Sequence, residues 1–220
     1  PHGRCTMCPT FKGVTQSYTG NEPASKRGLR NNWDPYLQVF NRLQQYTLLG
    51  KDTSKIELII MGGNFSTTPL WYQDFFVRSS LKAMNDFSEM FTGNPQKFLD
   101  FFEIDIENKL SDERTKLINK KIEKLISETT LEKEKQKNKS SNVACVAMVL
   151  ETRPDSVDKD SVSRFLDFGV TRVEVGAQSL YDPVLTKLNR GHDLKKTIEA
   201  TKMLKDSCFK VGYHMLLGAP

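Results

Sequence analysis

Apolar residues along this chain recur at two periods, and the places where the period changes divide it into alternating elements. After Asp34, which can cap a helix, and Pro35, which suits a first turn, Tyr36, Phe40, Leu43 and Thr47 recur at helical spacing until Gly50. KIELIIMGG, from Lys55 to Gly63, is a short continuous apolar run bounded by glycines and predicts a strand buried on both faces. Thr68 and Pro69 open a second helix with Leu70, Val77, Leu81 and Met84 on one face. VACVAMVLETRPD, from Val143, predicts a buried strand with a polar tip, followed by a helix around SVSRFLDF that Gly169 can end. TRVEVGAQS predicts a third strand, also polar at its tip. A helix after Asp193 with Leu194, Ile198, Thr201 and Leu204 as its face leads to KVGYHMLLGAP, a fourth strand.

Strands that alternate with helices imply a parallel sheet, because each parallel crossover needs a helix. The expectation is an α/β fold, a partial parallel (β/α) barrel. In such barrels the chemistry sits at the carboxyl ends of the strands. There the sequence places Gly62, Gly63 and Asn64, then Glu151, Thr152 and Arg153, then Gln178 and Ser179. The glycine doublet can admit a ligand close to backbone, or can simply make a tight turn. Glu151 and Arg153 can pair with each other or clamp a substrate. Gln178 and Ser179 suit a ribose or an amino-acid moiety, or can cap the next helix.

Residues 103–142 break the alternation with ten basic and nine acidic residues and end in EKEKQKNKSSN. A run so balanced in charge reads as a solvated helical insertion, and no chemistry is assigned to it. Over the 220 residues, 38% hydrophobic and 27% charged content marks a globular chain. No apolar run is long enough to cross a bilayer and the first residues lack the apolar core of a signal peptide, so a cytosolic, reducing location is expected. The net charge of +5 lies within residues 1–51, where seven Lys or Arg face two acids. Lys26, Arg27 and Arg30 belong to this basic segment, which could be a footprint for phosphates; charge alone favours a solvated loop, since basic loops are common and phosphate binding needs a shape that composition does not show.

Cys5 and Cys8 stand at CxxC spacing in a polar loop, where two thiolates can grip one metal centre from a single turn. Three readings are open: a redox dithiol, half of a zinc site, or part of an iron-sulfur ligand run. The surroundings do not suit a thioredoxin-like dithiol. Zinc needs two further ligands, and Cys145 and Cys208 are far apart, without a CxxC or HxxxH companion. The cluster is the leading reading.

PHGRCTMCP, TQSYTGNEP, DPYLQV, KIELIIMGGNF, ETRPD, RVEVGAQS, NRGH and GYHM occur in the order seen in the Elongator catalytic-subunit family, tRNA wobble-uridine carboxymethyl synthases of archaeal type. The resemblance covers nearly the whole chain apart from the charged insertion. It implies a barrel of the radical S-adenosylmethionine (SAM) type in which Cys5 and Cys8 bind a [4Fe-4S] cluster, Gly62, Gly63 and Asn64 contact the methionine part of SAM, and Gln178 and Ser179 border the same pocket. By the same resemblance Lys55 is associated with acetyl-CoA, the co-substrate, and Lys26, Arg27 and Arg30 face tRNA. The implied reaction is transfer of an acetyl-CoA-derived carboxymethyl group to C5 of the wobble uridine. Other Elongator subunits or a second copy of the chain are further partners the resemblance allows. In the family's CPHGxCxxC run Pro1 directly follows the first cysteine, and an acetyltransferase-like domain lies further along. The expectation is therefore a single domain over residues 1–220, a fragment without the first strand and that later domain. CPTF stands where the family has CPGG, MGGN where it has MGGT, and HMLLGAP where it has HMMPxLP. Two rival readings remain: a tRNA-binding module whose metal site is structural or lost, and another radical SAM enzyme acting on a small molecule.

Overall fold

The computed structural model describes residues 5–9, 11–13, 17–62, 65–104 and 112–219. The chain falls into two compact units, one of Pro1–Leu29, Glu57–Gln73 and Ala147–Pro220, the other of Arg30–Ile56 and Asp74–Val146.

A four-stranded sheet runs in the order β1 (Lys55–Ile60), β2 (Ala144–Thr152), β3 (Arg172–Gln178) and β4 (Lys210–Met215), and from Glu57 in β1 and Ala147 in β2 onward its strands belong to the first unit. β2 pairs with β3 in parallel, with Glu151 opposite Glu174, and β3 pairs with β4 in parallel, with Glu174 opposite Gly212. The sheet is open, as a partial barrel requires. One face of β3 presents Val173, Val175 and Ala177, all fully buried, and the other presents Arg172, Glu174, Gly176 and Gln178. The expectation that β1 is buried on both faces fails: Lys55, Glu57 and Ile59 form an exposed face, Ile59 at 50%, and only the face of Ile56, Leu58 and Ile60 is covered.

The helix α1 (Pro23–Arg30) forms in a stretch that has no apolar periodicity. Ser25 and Gly28, one turn apart, form its buried face, so small side chains take the place of an apolar stripe. A helical turn, Phe65–Thr67, follows β1 and precedes α3 (Leu70–Phe91). After β2 comes α7 (Lys159–Phe168), begun by a capping box in which Asp158 accepts from Ser161 N and ended by Gly169 at φ 83°. A short helix, α8 (Asp182–Lys187), and then α9 (Leu194–Asp206) follow β3. The face of α9 is Thr197, Ala200 and Leu204, whereas Ile198 is 60% exposed. Small residues let that helix approach closely, so apolarity alone pointed to the wrong stripe.

The second unit holds α2 (Pro35–Leu48), α3 from Asp74 onward, α4 (Pro95–Phe101), α5 (Asp112–Glu123) and α6 (Leu131–Asn138). Asp34 caps α2 by accepting from Leu37 N at 2.9 Å. Its core is aromatic: Phe40 meets Phe87 at 5.2 Å between ring centroids, and Phe91 meets Phe98 at 5.5 Å, both edge-on. The charged segment is helical in α5 and α6, but not simply solvated. Ile118, Ile122, Glu134 and Asn138 are buried, and Asn85 Nδ2 donates to Glu134 Oε2 at 2.7 Å while Asn138 Nδ2 donates to Asn85 Oδ1 at 2.7 Å. Side chains that find partners inside a fold can be buried whatever their polarity.

Candidate functional site

Cys5 and Cys8 lie on one tight turn, in which Cys8 N donates to Cys5 O at 3.2 Å. The turn is tied to the segment after α8: Thr6 N donates to Leu188 O at 3.1 Å and Thr6 Oγ1 to Lys187 O at 3.3 Å. Cys5 is only 6% exposed. Burial raises its thiol, but the Met7 backbone, the Arg190 guanidinium and the Cys8 side chain together hold it below its ordinary value. Cys8 is pushed up by burial and by its neighbour Cys5, against the Ser17 hydroxyl that donates to its Sγ at 3.1 Å. The pair is thus asymmetric, with Cys5 the first to ionise.

Arg190 is the buried cation at the centre of this arrangement, 7% exposed. Its Nη2 donates to Gly176 O at 3.1 Å, on the strand that ends in Gln178. A Cβ on Gly176 would stand 3.2 Å from Gln178 Nε2 and 3.4 Å from Arg190 Nη2, so both side-chain ends lie against this stretch of backbone. Gln178 is therefore brought beside Arg190, and its own backbone adopts the left-handed region at φ 65°. Ser179 is buried and accepts from Tyr181 N at 3.2 Å, so its hydroxyl orders the turn into α8.

At the tip of β2, Glu151 and Arg153 do not pair with each other. Glu151 Oε2 accepts from Gly62 N at 3.2 Å, which closes the β1 tip onto β2. Tyr18 is pushed up first by burial and then by the charges of Glu151 and Glu22, so this phenol also belongs to the rim. Glu22 gathers Thr19 N at 2.9 Å, Thr19 Oγ1 at 2.8 Å and Gly20 N at 3.0 Å, and these donors hold its carboxyl down at about 2. Arg153 grips Asp155 with Nε at 2.8 Å and Nη2 at 2.9 Å, and also donates to Arg190 O. His192 completes the group, with Nε2 3.4 Å from Ala177 O and Nδ1 3.8 Å from Asp155 Oδ1. Asp155, Arg190, His192 and Lys196 line a cleft of about 630 Å³.

The structure thus brings together Cys5, Cys8 and, through Arg190, Gln178. Gly62 stands at the tip of β1 with φ 123° and open space where a Cβ would be, while Gly63 and Asn64 lie outside the described residues. Lys55 opens β1 and is exposed, at the opposite end of that strand from Gly62. Lys26 and Arg30 are exposed on α1 and Arg27 is half-buried. Sequence reasoning assigned nothing to Arg190, Asp155 or His192. The only signal for them was the presence of ETRPD and NRGH, since a buried charge leaves no trace in apolar periodicity.

The family model for the radical SAM superfamily matches residues 2–220. The chain is 39% identical to the tRNA uridine(34) acetyltransferase of Methanocaldococcus infernus, an alignment that takes in 100% of this chain and 35% of that protein. With human Elongator complex protein 3 the identity is 34%, over 98% of this chain and 33% of the relative. The solved structure of archaeal Methanocaldococcus infernus Elp3 with an N-terminal deletion (1–46) superposes with a TM-score of 0.69 at 36% identity, covering 88% of this chain and 36% of that one. The chain spans about a third of the length of the curated relatives it matches.

Proposed function

The chain belongs to the radical SAM superfamily, and from that premise we propose that it is the cofactor-holding part of an acyltransferase that carboxymethylates the wobble uridine of tRNA. The carrying observation is the 39% identity to a tRNA uridine(34) acetyltransferase, which runs through the whole of this chain.

The donor set fits a four-iron cluster as two of its thiolate ligands. Cys5 and Cys8 share one turn, and donors from Arg190 and Ser17 approach their sulfurs, as suits anionic ligands. Among the described residues no group of three His, Cys, Asp or Glu is gathered that could hold a metal ion. When bound, a cluster of this kind with SAM supplies reductively initiated hydrogen-atom abstraction. The chain's own residues bind and orient. Gly62, with Gly63 and Asn64, takes the methionine end of SAM; Gln178 and Ser179 border the pocket; Lys55 serves acetyl-CoA; and Lys26, Arg27 and Arg30 serve tRNA. Arg190 fixes the cysteine turn against β3. Further Elongator subunits or a second copy complete the assembly, in the cytoplasm. Among the described residues no helix is long and apolar enough to cross a membrane.

The test is anaerobic reconstitution of the full chain with iron and sulfide, followed by SAM, acetyl-CoA and tRNA. Cluster absorption, release of 5'-deoxyadenosine and carboxymethyluridine in the tRNA are expected, and Cys8→Ser should abolish all three. Stoichiometric zinc without iron would overturn the reading.

A further inference from the structure

The segment after α8 turns twice through the left-handed region, at Asn189 with φ 52° and at Gly191 with φ 75°, and Arg190 stands between the two turns. Its backbone is held from both sides: Arg190 N donates to Leu185 O at 3.1 Å, and its carbonyl accepts from Arg153 Nη2. Arg153 is itself gripped by Asp155, so that carbonyl is fixed from the tip of β2. The far end of the side chain is fixed by the bond from Nη2 to Gly176 O on β3. Nε is buried and finds no hydrogen-bond partner.

A full charge taken out of water is costly unless an opposite charge lies close. Carboxylates do not serve Arg190. Asp155 is engaged by both Nε and Nη2 of Arg153, and Asp193, which lines the same cleft, caps α9 by accepting from Lys196 N at 2.8 Å. Arg190 stands in no ion pair among the described residues. What it meets is sulfur. The cysteine turn is tied by Thr6 to the carbonyls of Lys187 and Leu188, just before Arg190. From there the Arg190 side chain hydrogen-bonds the Cys5 side chain, and its charge acts on both Cys5 and Cys8.

An iron-sulfur cluster bound through these sulfurs gains one negative charge when an external donor reduces it by one electron. A fixed cation beside it, or a hydrogen bond to a ligand sulfur, stabilises that reduced state. We infer that Arg190 is a positioning residue for the centre held by Cys5 and Cys8, whose immobile guanidinium raises the reduction potential of the cluster. The inference rests on the cluster reading above and adds which residue sets the ease of reduction.

The experiment reconstitutes the full chain and its Arg190→Lys and Arg190→Gln variants anaerobically with iron and sulfide, without SAM or tRNA. The reduced cluster is followed by electron paramagnetic resonance during a dithionite titration at fixed pH. Arg190→Gln keeps hydrogen-bond donors but no charge, so its reduction equilibrium should fall about tenfold, a midpoint about 59 mV lower. Arg190→Lys keeps the charge and should stay within about threefold of wild type. Thermal melts of the cluster-free proteins separate folding from potential. A Gln variant with the wild-type potential, or a Lys variant that falls as far as tenfold, overturns the assignment and leaves the cluster reading standing. The second of these outcomes does not need the Gln variant to fold. A folded Gln variant that takes up no iron would make Arg190 a builder of the turn alone, and likewise overturns the assignment. A wild-type chain that takes up no iron overturns both.

Discussion

The carboxylate of Glu174 lies in the space that a side chain on Gly212 would need, with Cδ only 2.7 Å and Oε1 2.8 Å from the place of a Cβ. The two residues are register partners on β3 and β4. Glu174 is held over the neighbouring strand by Arg172 Nη2 at 2.5 Å, with His214 Nε2 at 3.9 Å. Gly212→Ala must therefore push the carboxylate off its partners, and about 1 kcal/mol of stability should be lost. In a Glu174→Ala background the same change should be close to neutral, a non-additivity that urea titration of the four proteins would read. Additive losses would mean that the strain lies elsewhere.

The Arg153–Asp155 pair predicts a larger effect. The Arg153 side chain is 8% exposed and both of its bonds to Asp155 are direct. Burial raises the Asp155 carboxyl, but the hydrogen bond and charge of Arg153 overcome this and hold it below the ordinary range. Asp155→Asn leaves the guanidinium buried without its counter-charge and should cost about 3 kcal/mol. A loss under about 0.5 kcal/mol in urea unfolding would show that the other contacts of the guanidinium suffice.

His192 sets a pH dependence. Burial lowers its pKa, with the nearby charges of Arg190 and Arg153 acting the same way, while the Ala177 carbonyl and Asp155 oppose them. The folded value is thus below the unfolded value of about 6.5, and the unfolded chain binds more protons as the pH falls. The contribution of neutral His192 is present above that pH and is lost on acidification. Urea midpoints should decline from about pH 7 to about pH 5, and His192→Gln should flatten that decline. Identical pH profiles for the two proteins would exclude His192 as the source.

Elements fixed by local chemistry were legible in the sequence. Asp34 and Pro35 started α2, Gly169 ended α7, and the strands revealed themselves as apolar runs with polar tips. The Cys5–Cys8 turn was legible for the same reason, since CxxC spacing is local. Features that depend on a distant neighbour were not. Gly28 in the middle of α1 costs helix propensity of about 1 kcal/mol and conceals the helix, although a buried Ser25–Gly28 face is what lets it pack. Ile198 looked like core but the closely packed face of α9 belongs to Thr197 and Ala200. Arg190 and His192 were invisible as site residues because their burial depends on carbonyls at Gly176 and Ala177, which the sequence does not associate with them.

The last prediction concerns the cations of α1. Lys26 and Arg30 are four residues apart, so they lie above one another on a helix face, and both are exposed. Arg27 is half-buried and engaged within the fold, which makes it the poorer phosphate ligand of the three. Two cations that each neutralise a phosphate release two counterions, and the slope of log affinity against log salt should flatten by about two units when both are lost. Lys26→Ala with Arg30→Ala should therefore weaken tRNA binding to a similar degree for every sequence tested, most strongly at low salt. Adding Arg27→Ala should change the slope little further, and a thermal melt would register its structural cost instead. The measurement is a filter-binding titration at several salt concentrations with the double and triple variants beside wild type. An unchanged slope in the double variant would make these charges merely solvated, and a further full unit lost with Arg27 would return that residue to the interface.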